Sequence, residues 1–251
     1  MIASFHDLKD KSVVVTGGGS GIGAALTEGF VAQGAKVMFI DRDDYSGFAD
    51  ELGKNYTHKP LFIQCDVTDT EALQDAIARA ATAHGPFKAF VNNAANDQRM
   101  VADDVTQAQW DEMIDVNLKH YFFASQAAAA HMPQGGSIIN FSSGSFHMGS
   151  PGMAPYVSSN AGIIGMSRAL AREWGPRDIR VNSIAPGWVL TEKQLEKWAT
   201  PEGIQNHINT QCLKTSMKPE DLVGTVLFLA SDISKMITSH CLTVDAGVNP
   251  M

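Results

Sequence analysis

The run Ser12-Val13-Val14-Val15-Thr16 passes directly into Gly17-Gly18-Gly19-Ser20-Gly21-Ile22-Gly23, and no other feature constrains this chain as strongly. A β-branched apolar run reads as a buried strand, and the residues after the glycines read as a helix. Glycine permits a tight turn and a close approach of backbone to a ligand. A helix N-terminus presents free N–H groups and the positive end of its dipole to phosphate. Gly17, Gly19, Ser20, Gly21, Ile22 and Gly23 are therefore the candidate cradle for a pyrophosphate. The spacing is Gly-x-x-x-Gly-x-Gly rather than the more common Gly-x-Gly-x-x-Gly.

The same alternation continues to the C-terminus. Strands are expected at 12–16, 36–40, 61–64, 89–91, 137–141, 180–184 and 242–244, with helices at 21–33, 70–83, 107–132, 154–174 and 221–229. Apolar strands separated by helices predict an α/β fold, a doubly wound parallel sheet of Rossmann type with helices on both faces. With 44% hydrophobic and 18% charged residues and no composition break, residues 1–251 read as one domain. The polar segment 191–218 interrupts the alternation after Pro186-Gly187 and reads either as a substrate lid or as a plain surface helix pair.

A net charge of −8 repels phosphate backbones and argues against nucleic acid as a partner. No apolar run approaches the roughly 18 residues of a membrane helix. The polar stretch 1–10 lacks the apolar core of a secretory signal, which makes a cytoplasmic protein the expectation. Cys65, Cys212 and Cys241 are widely spaced and odd in number, a pattern that suits neither disulfides nor a metal site.

In doubly wound sheets ligands lie at the carboxyl ends of the strands. Asp41 ends the second strand, eighteen residues past Gly23, where an acid can bind the adenosine ribose hydroxyls and repel a 2′-phosphate. That favours NAD over NADP, although the adjacent Arg42 could accept such a phosphate. Asp66 and Val67 end the third strand and Asn92 the fourth; Asp66 could reach an adenine, and Asn92 could hold a ribose or bridge strands. Ser143 ends the fifth strand, and Tyr156 follows inside a helix. A hydroxyl facing a phenol can bind a substrate oxygen from two sides, and a phenol can serve as acid or base in carbonyl–alcohol exchange.

Taken in order, these motifs resemble the short-chain dehydrogenase/reductase family along essentially the whole chain. The matching residues are Thr16–Gly23, Asn92-Asn93-Ala94, Asp115-Val116-Asn117, Ser143, Tyr156 and Arg180-Val181-Asn182 leading to Pro186-Gly187. The resemblance implies Ser143 as binder of the substrate oxygen, Tyr156 as acid/base and Asn117 as holder of a relay water. It implies Asn93, Ala94, Ala95, Pro186, Gly187, Val189 and Thr191 along the cofactor, and a homotetramer built on the two long central helices. The chain departs from the family at Ala95, where glycine is usual, and at Asn160, which stands in the lysine position of Tyr-x-x-x-Lys. That lysine binds the nicotinamide ribose and lowers the tyrosine pKa. A neutral amide cannot supply the Coulombic part, worth about 1.36 kcal/mol per unit. A weakened catalyst, either natural or engineered, is therefore expected.

Within the family the loops most resemble the D-xylose dehydrogenase-like branch of sugar and sugar-acid dehydrogenases. The stretches 93–99, 197–203 and 210–214 carry this likeness. Asn96, Arg99, His147 and Gln211, with Ser143 and Tyr156, are the candidate substrate contacts, since a polyol needs several donors and acceptors in place. Arg99 would suit a carboxylate. The expected partner is a small sugar or sugar acid. The competing expectations are an inactive NAD-binding sensor or scaffold, and a reductase of apolar ketones.

Overall fold

A computed structural model describes residues 3–249. Among these residues seven strands are present: β1 (Ser12–Thr16), β2 (Lys36–Asp41), β3 (Leu61–Gln64), β4 (Phe87–Asn92), β5 (Gly136–Phe141), β6 (Ile179–Pro186) and β7 (Cys241–Val244). They form one sheet in the order β3-β2-β1-β4-β5-β6-β7, every pair parallel. All seven expected strands are there, each within a few residues of the expected bounds. The order reverses between β1 and β4, which opens a crevice at their carboxyl ends.

Among the described residues ten α-helices surround the sheet. In chain order they are α1 (Gly21–Ala32), α2 (Ser46–Asn55), α3 (Thr70–His84), α4 (Gln107–Ile114), α5 (His120–Ala130), α6 (Ser145–Met148), α7 (Ala154–Trp174), α8 (Glu192–Lys197), α9 (Pro201–Thr210) and α10 (Glu220–Ala230). Because successive strand side chains point to opposite faces, β1 feeds two cores. Val13 and Val15 pack with Leu26, Phe30, Leu222 and Val226 on one side. Val14 packs with Leu73, Ile77, Ala124 and Leu170 on the other.

The helices differ from expectation at α2, at the single-turn α6 and within 107–132. α2 is unforeseen, since SGFADELGKN carries two glycines and buries only Ala49 and Leu52. The helix expected over 107–132 is interrupted by a π turn at Asp115–Lys119. Such turns alter the backbone ladder and recur at functional sites.

Beneath the crevice runs a buried polar ladder. Asn92 Nδ2 donates to Ser125 Oγ (3.0 Å) and Asn140 Oδ1 (2.8 Å), and Asn140 Nδ2 donates to Ser167 Oγ (2.9 Å). Of the two readings of Asn92, the strand bridge is the one realised. The ladder ties β4, β5, α5 and α7 together at fixed register through bonds that are buried from end to end.

Candidate active site

The glycine turn is clamped from β4. Asn93 Nδ2 donates to the carbonyls of Thr16 (3.1 Å) and Gly17 (3.0 Å). Thr16 Oγ1 accepts from the backbone N–H groups of Asn93 (3.0 Å) and Ala94 (3.2 Å). Gly17 has φ +64°, and a Cβ there would lie 2.9 Å from Ala94 Cα. At Gly23 a Cβ would sit 1.7 Å from the Gly17 carbonyl oxygen. Neither position admits a side chain.

Asp41 stands beside this turn. Its carboxylate accepts from Gly19 N (3.0 Å) and Arg42 N (2.8 Å), and burial pushes its pKa above the usual carboxylate value. Gly19 itself does not line the cleft: a Cβ there would lie 2.1 Å from the Tyr45 ring, which covers it. The Arg42 side chain is 74% exposed beside Asp43. Asp66 Oδ1 accepts from Thr68 N (2.9 Å) and Thr68 Oγ1 (2.8 Å), and Val67 is buried next to it.

From this turn a cleft of about 1100 Å³ runs across the strand ends to α7. Gly17, Ser20, Gly21, Ile22, Gly23, Asp41, Arg42, Asp66 and Val67 line it at one end. Asn93, Ala94, Ala95, Asn96, Arg99, Asn117, Ser143, Tyr156, Asn160, Pro186, Gly187, Val189 and Thr191 line the rest. A long cleft beginning at a turn bare of Cβ atoms and passing an acid at the β2 terminus fits a dinucleotide.

At the far end, α7 presents Tyr156 and, one turn on, Asn160. Burial raises the Tyr156 pKa, the charge of Asp97 raises it further, and hydrogen bonds with the Ser143 and Asn160 side chains oppose this; the balance lies above the ordinary phenol value. Asn160 is buried, and its Nδ2 donates to the Tyr156 carbonyl (2.8 Å). The amide at the lysine position is thus partly tied to its own helix.

Asn117 lies on the π turn, but its side chain is taken up. Oδ1 accepts from Asn96 N (2.8 Å), while Nδ2 donates to the carbonyls of Asn96 (3.0 Å) and Met113 (2.9 Å). It anchors the loop after β4 rather than offering a free amide to a relay water. Two expected substrate contacts lie elsewhere. His147 is exposed outside the cleft, its ring stacked 3.8 Å from that of Phe146. Gln211 is buried behind the cleft, where its amide meets the carbonyls of Leu213 (3.0 Å) and Thr215 (2.8 Å). His147 sits on the single-turn α6 and Gln211 directly after α9, where no periodic pattern in the sequence encodes the direction of a side chain.

The segment 191–218, expected as a lid or as a surface helix pair, borders the cleft through Gln194, Trp198 and His207, none of which was among the expected contacts. Thr191 caps α8, its hydroxyl accepting from Gln194 N (3.3 Å). Lys193 Nζ (2.7 Å) and Gln194 Nε2 (2.5 Å) donate to the two oxygens of Asp97. Burial pushes the Asp97 carboxyl up, but these partners outweigh it and hold its pKa below the usual value. Gln194 Oε1 also accepts from Trp188 Nε1 (2.8 Å), and His207 stands edge-on to Trp188 at 5.4 Å. Arg99 lies over the Trp198 ring at 4.5 Å. Two buried ring nitrogens of this wall, Trp198 Nε1 and His207 Nε2, have no hydrogen-bond partner. Burial holds the His207 pKa below its ordinary value, which keeps the ring neutral near pH 7. Trp198 is the one Phe, Tyr or Trp between positions 191 and 218, so the sequence carries little signal for this wall.

Fold and cleft define a nicotinamide-dependent oxidoreductase, and comparison with known proteins agrees. A family model described as enoyl-(acyl carrier protein) reductase matches residues 17–249. The chain belongs to the short-chain dehydrogenase/reductase family. A probable galactose dehydrogenase from Rhizobium meliloti is 45% identical over 250 residues, covering 98% of each chain. A D-xylose 1-dehydrogenase from Caulobacter vibrioides is 47% identical over 249 residues, again covering 98% of each. Among solved structures, a blue fluorescent protein from a metagenomic library, crystallised with NADPH, superposes with a TM-score of 0.90 at 30% identity, covering 97% of this chain and 100% of that one. Among the described residues no helix is long and apolar enough to cross a membrane.

Proposed function

We propose that this protein is an NAD-dependent dehydrogenase of a sugar or sugar acid, acting at a secondary alcohol or hemiacetal. The single observation that carries this reading is the wall over Tyr156. Trp188, Trp198 and His207 supply flat apolar faces and polar edges, while Asp97, Lys193, Gln194 and Arg99 crowd the same mouth. Aromatic faces suit the C–H surface of a sugar ring, and converging polar edges suit its hydroxyls. Apolar ketones have no use for that many polar groups. The two relatives act, by their names, on galactose and on xylose.

The cradle Gly17–Gly23 would hold the pyrophosphate, with Asn93, Ala94 and Ala95 flanking it, and Asp41 the adenosine ribose. A partly buried carboxylate there disfavours a 2′-phosphate, and the exposed Arg42 is poorly placed to offset it, so NAD is preferred. Pro186, Gly187, Val189 and Thr191 would border the nicotinamide end. When bound, the nicotinamide ring takes hydride from, or gives it to, the substrate carbon. Ser143 Oγ orients the substrate oxygen, and the Tyr156 oxygen accepts the hydroxyl proton during oxidation and returns it during reduction. The segment 191–218 then acts as a lid latched on Asp97. Trp110 and Phe122, 40% and 38% exposed on α4 and α5, support self-association through these helices.

Asn160 supports a second reading, a cofactor-binding protein with little catalysis. It carries no charge to lower a phenol pKa that burial already raises. Asn160→Lys separates the two. Sugar-dependent NADH formation should rise by at least about tenfold, the equivalent of one pKa unit, over a panel of aldoses and sugar acids. If the lysine chain binds NADH yet oxidises nothing in that panel, the dehydrogenase reading fails and the binding protein remains.

A further inference from the structure

Tyr121 is fully buried on α5, yet it forms part of the cleft wall together with Tyr156 and Asn160. Its hydroxyl has no hydrogen-bond partner. Beside it Asn92 Oδ1 is also unpartnered, and the Asn92 amide points at the Tyr121 carbonyl at 3.5 Å. The neighbouring His120 ring lies 4.5 Å from the Tyr121 ring, with both of its nitrogens unpartnered. A buried hydroxyl that bonds to nothing is destabilising, and phenylalanine would fill the same space without that cost. A hydroxyl kept in such a place needs an acceptor that arises during the working cycle.

Tyr156 lines the same part of the cleft. The cleft face of α7 carries Tyr156, Asn160 and Ile163 and no positive charge. The Asn160 amide already donates to the Tyr156 carbonyl. The charged groups that bear on Tyr156 are the Asp97 carboxylate, which opposes ionisation, and Lys193, which pairs with that carboxylate. His120, on the other side of Tyr121, is kept neutral by burial.

We propose that Tyr121 is a positioning residue whose hydroxyl donates, directly or through one bound water, to the Tyr156 oxygen when that oxygen carries negative charge. Burial and the charge on Tyr156 both push the Tyr121 pKa well up, so Tyr121 remains a donor while Tyr156 ionises. A hydrogen bond to a charged acceptor is about twice as strong as one between neutral groups. The inference rests on the acid/base reading of Tyr156 given above, but its test does not need turnover.

The chain holds four tyrosines, so tyrosine labelled with carbon-13 at Cζ gives a spectrum of four signals. The Tyr156 signal is assigned with Tyr156→Phe and titrated in the unsubstituted chain, in Tyr121→Phe and in Tyr121→Met. Both Tyr121 variants should raise the Tyr156 midpoint by about one unit, while Tyr56→Phe, whose hydroxyl bonds Glu28, leaves it in place. A midpoint unchanged within ~0.3 unit, a fall, or a Tyr156 that stays protonated up to alkaline unfolding in the unsubstituted chain overturns the proposal. Met keeps the test usable if Phe packs badly. A shifted midpoint together with an Asn160→Lys chain that oxidises no sugar would sink the dehydrogenase reading and leave the role of Tyr121 standing.

Discussion

The two ends of the cleft are built on opposite principles. At the glycine turn the polar groups are answered from within the chain. Thr16, Asn93 and Asp41 bond backbone atoms, and the space is closed even to a methyl group. At the chemical end, Tyr121 Oη, both His120 nitrogens, Ser145 Oγ, Trp198 Nε1 and His207 Nε2 are buried without partners. Each such group costs about 1–3 kcal/mol until something answers it. A site that always meets the same phosphates can be rigid and complete. Under the proposed sugar-dehydrogenase reading, the other end keeps its hydrogen bonds in reserve, because only the right hydroxyls then recover the loss.

The sharpest way to break this contrast is to damage the completed end. Gly23→Ala drives a Cβ onto the Gly17 carbonyl and should weaken NADH affinity by at least about 100-fold, near 3 kcal/mol. Fluorescence titration measures it; unaltered binding would mean that the turn is not the phosphate cradle.

His120 tests the unanswered end through stability. Burial lowers its pKa to about 4, against a slight opposing pull from nearby carbonyls and Asp66. The folded pKa lies below the unfolded one, so the contribution of the neutral ring is complete above pH 6.5 and is lost as pH falls toward 4. The loss amounts to about 3 kcal/mol. Urea unfolding at pH 7 and pH 5 should show a smaller acid-side loss in His120→Phe than in the unsubstituted chain; equal slopes would place the acid sensitivity elsewhere.

The smallest effect concerns the lid. Trp198→Phe keeps a ring beneath Arg99 but deletes the unpartnered N–H. In the Asn160→Lys chain it should raise the KM for the preferred sugar about fivefold, roughly 1 kcal/mol, with kcat little changed. A pure kcat effect in steady-state kinetics would show instead that Trp198 matters only for closing the lid.

The cofactor end was largely legible in the amino-acid order because its determinants are local. A glycine turn between a β-branched strand and a helix, and an acid one strand later, name their own positions. The mouth was legible only in part. Arg99 and Asn96 reach the cleft as expected, but His147 stacks on Phe146 outside it and Gln211 turns inward to its own loop. Those directions depend on how a four-residue helix and a helix end pack locally, which has no period to read. Asn117 stood at the expected place with a different task, because the Asn96 backbone, distant in sequence, had already claimed its amide.

Sequence alone determined the parallel sheet, the reversal of strand order that opens the cleft, and the neutral residue one helical turn past Tyr156. These follow from periodicity and from residue identity, both of which are one-dimensional. Only the tertiary structure decided which polar atoms near that phenol are paired and which are not. Hydrogen-bond satisfaction depends on groups tens of residues apart meeting within about 3 Å, and no local pattern records that.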